Sequence, residues 1–126
     1  MRINSQVCAL FREYLLSQDF VEIHTPKLIP GTSEGGAEVF KINYFNKEAC
    51  LAQSPQLYKQ MAVMADLERV FEIAPVFRAE KSFTPRHMCE FVGLDFEMAI
   101  HEHYFEVIKV INGLFYFIYK GLEERC

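Results

Sequence analysis

What this chain lacks removes several classes of function. Its cysteines, Cys8, Cys50, Cys89 and Cys126, show neither CxxC nor any other metal spacing, so they read as scattered reduced thiols of a cytosolic protein. Positive charge is not in excess: 13 Lys and Arg stand against 17 Asp and Glu, a formal net charge of −4. No global field therefore draws the chain onto nucleic acid or an anionic membrane. No apolar run is long enough to cross a bilayer, since the greasiest late stretch, 107–119, is broken by Lys109 and Asn112. Residues 1–6 are polar and unlike a signal peptide. Repeats and low-complexity tracts are absent as well. What remains is 126 residues, 51% of them hydrophobic, enough to bury a core as one domain or part of one.

The stretch that organises the chain is 70–98, VFEIAPVFRAEKSFTPRHMCEFVGLDFEM. It predicts two strands joined by a polar loop. Val70, Phe71, Ile73, Val76 and Phe77 supply bulk on the first arm, which ends in Arg78-Ala79-Glu80. Strict alternation puts Arg78 and Glu80 on one face. The return arm sets Phe91, Gly93, Asp95 and Glu97 against Val92, Leu94, Phe96 and Met98. One face is apolar. The other carries an arginine, carboxylates, an aromatic plate and a glycine gap, which is the composition of a binding surface. The loop between the arms holds Lys81, Arg86 and His87 around Thr84-Pro85, a turn signal.

Before this stretch, Ile3, Val7, Leu10, Tyr14 and Leu15 predict an amphipathic helix over 3–17, with Arg12 and Glu13 outward. Residues 20–23 read as a short strand stopped at His24-Thr25-Pro26. The segment 29–37, IPGTSEGGA, has loop composition but neither the P-loop pattern nor GxGxxG. Residues 38–45 and 48–53 predict a hairpin turning at Asn46-Lys47. Ser54-Pro55 predicts a helix start, with Ser54 as the cap and the helix running to about Asp66. Gln56 and Lys59 would project from one side of its first turns. A lysine this close to a helix N-terminus opposes the dipole, by a few tenths of a kcal/mol; a solvated surface lysine is the plain alternative. Tyr104, Ile108, Ile111, Phe115, Ile118 and Leu122 predict a long helix over 102–124, and Val107, Val110, Leu114 and Phe117 form a second apolar row. His101 and His103 lack a third ligand and read as solvated residues at the helix start rather than a metal site. The order of elements implies an α+β fold with an antiparallel sheet flanked by helices.

These motifs resemble the catalytic core of class II aminoacyl-tRNA synthetases over essentially all of residues 1–126, and within that family its aspartate-specific branch of eukaryotic cytosolic and archaeal type. FVEIHTPKL, within about 8–30, is similar to motif 1, which builds the homodimer interface; Pro26 matches its proline. FRAE followed by RHMCEF, within about 70–98, is similar to motif 2. TSEGGAEVF and QSPQLYKQ resemble the aspartate branch's loop and amino-acid pocket. The resemblance implies a cytoplasmic, membrane-free enzyme that activates L-aspartate with ATP and Mg²⁺ and transfers it to tRNA(Asp). It implies that Arg78 is the catalytic residue, bridging the aspartate carboxylate and the α-phosphate. ATP would be held by Arg78, Ala79, Glu80, Arg86, His87, Met88 and Phe91, with the ring of Phe91 on adenine. Aspartate would be held by Ser33, Glu34, Gln56, Lys59, Arg78 and Asp95, with Lys59 on its side-chain carboxylate.

Motif 3, with its second ATP arginine, has no counterpart here. Nor do the Mg²⁺ carboxylates, a further arginine of the aspartate pocket, or an anticodon-binding domain. The expectation is a part of a longer enzyme, inactive or weakly binding alone. The neighbouring expectations are an asparagine-specific synthetase and a tRNA-independent aspartate-activating paralogue. A non-catalytic dimerisation or regulatory module is the rival from another class, and a general nucleic-acid-binding module is disfavoured by the acidic balance.

Overall fold

The computed structural model describes residues 1–32, 38–82 and 84–126. Its α+β architecture follows the expected order: α1 (Arg2–Ser17), β1 (Val21–Glu22), β2 (Leu28–Ile29), β3 (Lys41–Tyr44), β4 (Lys47–Leu51), α2 (Gln56–Ala62), β5 (Arg69–Phe77), β6 (Glu90–Met98) and α3 (Phe105–Arg125). The strands form two three-stranded sheets, ordered β1-β5-β6 and β2-β4-β3. The first is mixed rather than purely antiparallel. β5 and β6 pair antiparallel along their whole lengths, whereas β1 runs parallel to β5 through Val21–Val70 and Glu22–Phe71. Pro75 is tolerated inside β5 because β1 covers only the start of that strand. No partner strand there needs the missing N–H.

One face of the β5–β6 pair lies on α1 and α3. Phe71, Leu10, Phe11, Leu15, Phe20, Val110, Leu114 and Ile118 make the core, with Ile73, Phe96 and Met98 packed against it. Phe71 meets Phe11 edge to face at 5.9 Å, and Phe96 meets Phe20 at 5.5 Å. On α1, Arg12 and Glu13 are outward as expected but not idle. Arg12 grips Glu22 with two hydrogen bonds of 2.9 and 3.1 Å, and Glu13 pairs with Arg125. On α3 the expected main row is only partly right. Ile118 is buried, but Ile108 and Phe115 are exposed, and the second row supplies Val110 and Leu114 to the core. α3 also starts later than its periodicity suggests. The Glu106 carboxylate accepts the backbone N–H groups of His101, Glu102 and His103, holding those residues as a cap ahead of the helix.

The second sheet is what leads the chain to the other face. Its hairpin closes one residue earlier than expected. Tyr44 pairs with Lys47, and Phe45 and Asn46 form the loop with φ of 48° and 59°. Two positive φ values give a turn whose twist matches the strands, and Phe is an unusual residue to accept one. Ala52 is the junction between the sheets: its N–H donates to Lys27 O at 2.8 Å, and its carbonyl accepts the Phe77 N–H at 2.9 Å. The buried run Gln53-Ser54-Pro55 then delivers α2 over the sheet. The cap position falls to Pro55 rather than Ser54, although Ser54 Oγ still accepts the Gln56 N–H at 2.8 Å. α2 ends at Ala62, and a wide turn (Val63–Leu67) with Asp66 at φ 66° reverses the chain into β5.

Candidate active site

Register fixes which side chains share the face turned away from α1 and α3. Glu72 is opposite Asp95, Ala74 opposite Gly93 and Val76 opposite Phe91. The Arg78 N–H donates to Cys89 O at 2.9 Å, so the pairing continues just past β5 and keeps Arg78 on the Phe91 side. Its guanidinium carbon lies 5.6 Å from the Phe91 ring centroid. An arginine and an aromatic plate are thus held together at one end of the face. Gly93 leaves a gap beside them. A Cβ there would meet the Val76 methyls at 3.6 Å and the Ala74 carbonyl oxygen at 3.7 Å, both ordinary contacts, so the fold itself has room for a methyl group.

The other end of the face meets α2. Lys59 is only 5% exposed, which excludes the solvated surface lysine. Its ammonium is in close contact with Asp95 Oδ1 and lies 3.3 Å from Glu97 Oε2. A buried ammonium is costly unless paired, and these two carboxylates supply the pairing from adjacent same-face positions of β6. Because α2 ends at Ala62, Lys59 falls in its last turn rather than at the start of a long helix, so the expected conflict with the dipole does not arise.

A third carboxylate was visible in the sequence but not recognised as part of the site. Glu72 is 2% exposed and accepts hydrogen bonds from Thr25 N (2.8 Å), Thr25 Oγ1 (2.7 Å) and Lys27 Nζ (3.0 Å). The cluster pins the Thr25–Lys27 turn to the sheet beside Asp95. Its only sequence signal was a carboxylate at an alternating strand position; its partners are 45 and 47 residues away. Glu97 carries the same signal.

The remaining candidates are spread around this shelf. Ala79 N–H donates to Glu38 O at 2.9 Å. Glu80 does not continue the strand: β5 ends at Phe77, and the Glu80 N–H folds back to Arg78 O at 2.8 Å, so alternation no longer assigns its face. Arg86, His87 and Met88 are exposed on the connecting loop, where His87 N–H meets Thr84 O at 3.0 Å. Lys81 is ion-paired with Glu38, whose hydrogen bond holds the Lys81 ammonium above its ordinary pKa. Gln56 is half-buried at the start of α2, and Pro26 is exposed. Ser33 and Glu34 lie outside the described residues. Arg78, Phe91 and Asp95 therefore share one face of the sheet, and Lys59 reaches that face from α2.

The family described as tRNA synthetases class II (D, K and N) matches residues 1–126. The chain is 62% identical over 125 residues to a protein named aspartate–tRNA ligase 1, cytoplasmic, of Arabidopsis thaliana, covering 99% of this chain and 24% of that one. Among solved structures, an aspartyl-tRNA synthetase from Entamoeba histolytica matches with a TM-score of 0.79 at 53% identity, over 98% of this chain and 22% of that one. An asparaginyl-tRNA synthetase from Pyrococcus horikoshii, complexed with asparaginyl-adenylate, matches with a TM-score of 0.90 at 38% identity, over 99% and 28%. The chain spans about a quarter of the length of the curated relatives it matches.

Proposed function

The chain belongs to the class II tRNA synthetases, and from that premise we propose that it is the part of an aspartate–tRNA ligase that seats ATP and L-aspartate for adenylate formation. The observation that carries this reading is the shared face: Arg78 over Phe91 at one end, and the buried Lys59 with Asp95 at the other. The relatives' names supply aspartate as the amino acid, tRNA as the acceptor and the cytoplasm as compartment; we take the acceptor to be tRNA(Asp).

In the first step the aspartate α-carboxylate attacks the α-phosphorus of ATP, and pyrophosphate leaves with the bonding pair. Two anions must approach, so the barrier is largely electrostatic. Arg78 spans both reactants with its planar fork of donors and stabilises the charge gathering at phosphorus, a geometry that a lysine cannot reproduce. Phe91 stacks on the adenine and fixes its angle. Ala79, Glu80 and Met88 border the nucleotide, and the exposed Arg86 and His87 close on its outer phosphates. The shelf works by positioning, and no side chain serves as nucleophile.

Lys59 takes the substrate's side-chain carboxylate and Asp95 and Gln56 surround its ammonium, a role also assigned to Ser33, which with Glu34 of the same loop lies outside the described residues. Asparagine would offer Lys59 a neutral amide in place of a carboxylate, which is why the aspartate reading is favoured over the asparagine one. Mg²⁺ would offset phosphate charge when it enters with ATP. Among the described residues no three His, Cys, Asp or Glu side chains gather to hold a metal ion, and we assign its ligands to the rest of the longer enzyme. The segment 8–30, with Pro26 exposed, is assigned to a homodimer contact.

The test is pyrophosphate exchange by the full-length enzyme with each amino acid, followed by charging of tRNA(Asp). Aspartate should support exchange about 100-fold better than asparagine. Equal exchange with both, or none with either, would overturn the assignment.

A further inference from the structure

We propose that Glu97 is a resident stand-in for the substrate's side-chain carboxylate, neutralising Lys59 while the pocket is empty and surrendering that ammonium when aspartate arrives. The inference rests on the reading of Lys59 given above and adds a residue that sets its specificity.

Lys59 carries one positive charge and three N–H donors, and it lies between Asp95 and Glu97, two residues apart on one face of β6. The three groups sum to one negative charge. Were both carboxylates to stay, an incoming aspartate side chain would meet a site already over-neutralised and be repelled. The approach becomes favourable if one resident carboxylate leaves as the substrate's arrives, because the charge around Lys59 is then unchanged. Glu97 is the one suited to leave. Its contact is the longer of the two, at 3.3 Å, and it has one more rotatable bond than Asp95, the two side chains being about equally exposed to water. Asp95 makes the closer contact and sits beside the buried Glu72.

The arrangement also explains why the empty pocket holds together. Without Glu97, a lysine that is 5% exposed would rely on one carboxylate alone, and a poorly paired buried ammonium destabilises the fold. Glu97 therefore lends stability to the unliganded protein at the expense of affinity for aspartate. That opposition separates it from a purely structural residue, whose loss would weaken both.

The experiment compares full-length wild-type enzyme with Glu97→Gln, which keeps shape and removes charge. The variant should melt at a lower temperature without ligand. Its aspartate Kd should fall about tenfold, the size of losing one partly screened like charge nearby. Asparagine and ATP affinities should move little, so the aspartate-to-asparagine ratio rises and aspartate raises the melting temperature more than in wild type. An unchanged or lower ratio, or joint weakening of both amino acids, overturns the proposal. Should Glu97→Gln fail to fold, Glu97→Asp retracts the carboxylate by one methylene and should raise the same ratio, by less; no rise overturns the proposal. Lys59→Met, titrated in parallel, separates the two readings. If it loses aspartate affinity selectively, the Lys59 reading stands whatever Glu97 does. If it does not, the Lys59 reading itself falls.

Discussion

The two faces of the β5–β6 pair are made by the same strands and held by opposite physics. Toward α1 and α3, Phe71, Ile73, Phe96 and Met98 join a closely packed apolar core. That contact is non-directional and asks only for shape and volume. On the other side Glu72, Asp95 and Glu97 are each answered by a lysine from elsewhere in the chain, Lys27 or Lys59. Those contacts are directional, and removing one partner strands the other. One face supplies the stability that keeps the other in register, and the second holds its charges where ligands can exchange with them.

The comparison breaks first at the core. Phe71→Ala, at a side chain fully buried against Phe11, should cost about 3–5 kcal/mol in urea unfolding; a loss below about 1 kcal/mol would mean that this face does not carry the fold. Next comes Glu72→Gln. It leaves the half-buried Lys27 facing a neutral group and should cost about 3 kcal/mol. Lys27→Met should cost less in the Glu72→Gln background than alone, because the pair acts as a unit. Gly93→Ala sharpens the contrast: the added methyl meets Val76 and the Ala74 carbonyl oxygen at ordinary distances, so stability should hold within about 0.5 kcal/mol. Exchange activity of the full-length enzyme should still fall severalfold, because the methyl occupies ligand space.

The smallest effect is the acid response of the Arg12–Glu22 pair. Hydrogen bonding from Arg12, the largest cause, lowers the Glu22 pKa. With the folded value below the unfolded one, the pair's stabilisation is complete above the ordinary carboxylate range and is lost as pH falls through the lowered value. Glu22→Gln should remove that part of the acid sensitivity, less than about 1 kcal/mol for so solvent-screened a pair, leaving neutral-pH activity unchanged.

Alternation alone made the shelf legible. Phe91, Gly93, Asp95 and Glu97 stand on the face that the sequence assigns them, because period-two patterning survives wherever both strands are regular. It failed at Glu80, where the backbone folds back onto Arg78 and the period stops. The pairing of β2 with β4, the parallel β1 and the anchoring of Glu72 were not legible, since each joins segments far apart in the chain and leaves no local pattern. The exposed aromatic rows of α3 misled for a related reason: periodicity reports that a helix has an apolar face, not which neighbour covers it.

The most direct test of the shared shelf is a crossed titration on full-length enzyme, with ATP and aspartate bound separately to Phe91→Ala and Lys59→Met. Phe91→Ala should weaken ATP about tenfold and spare aspartate, while Lys59→Met should weaken aspartate by at least about tenfold and spare ATP. If both variants weakened both ligands alike, or if Lys59→Met weakened only ATP, the shelf would not be divided as the side chains on it suggest.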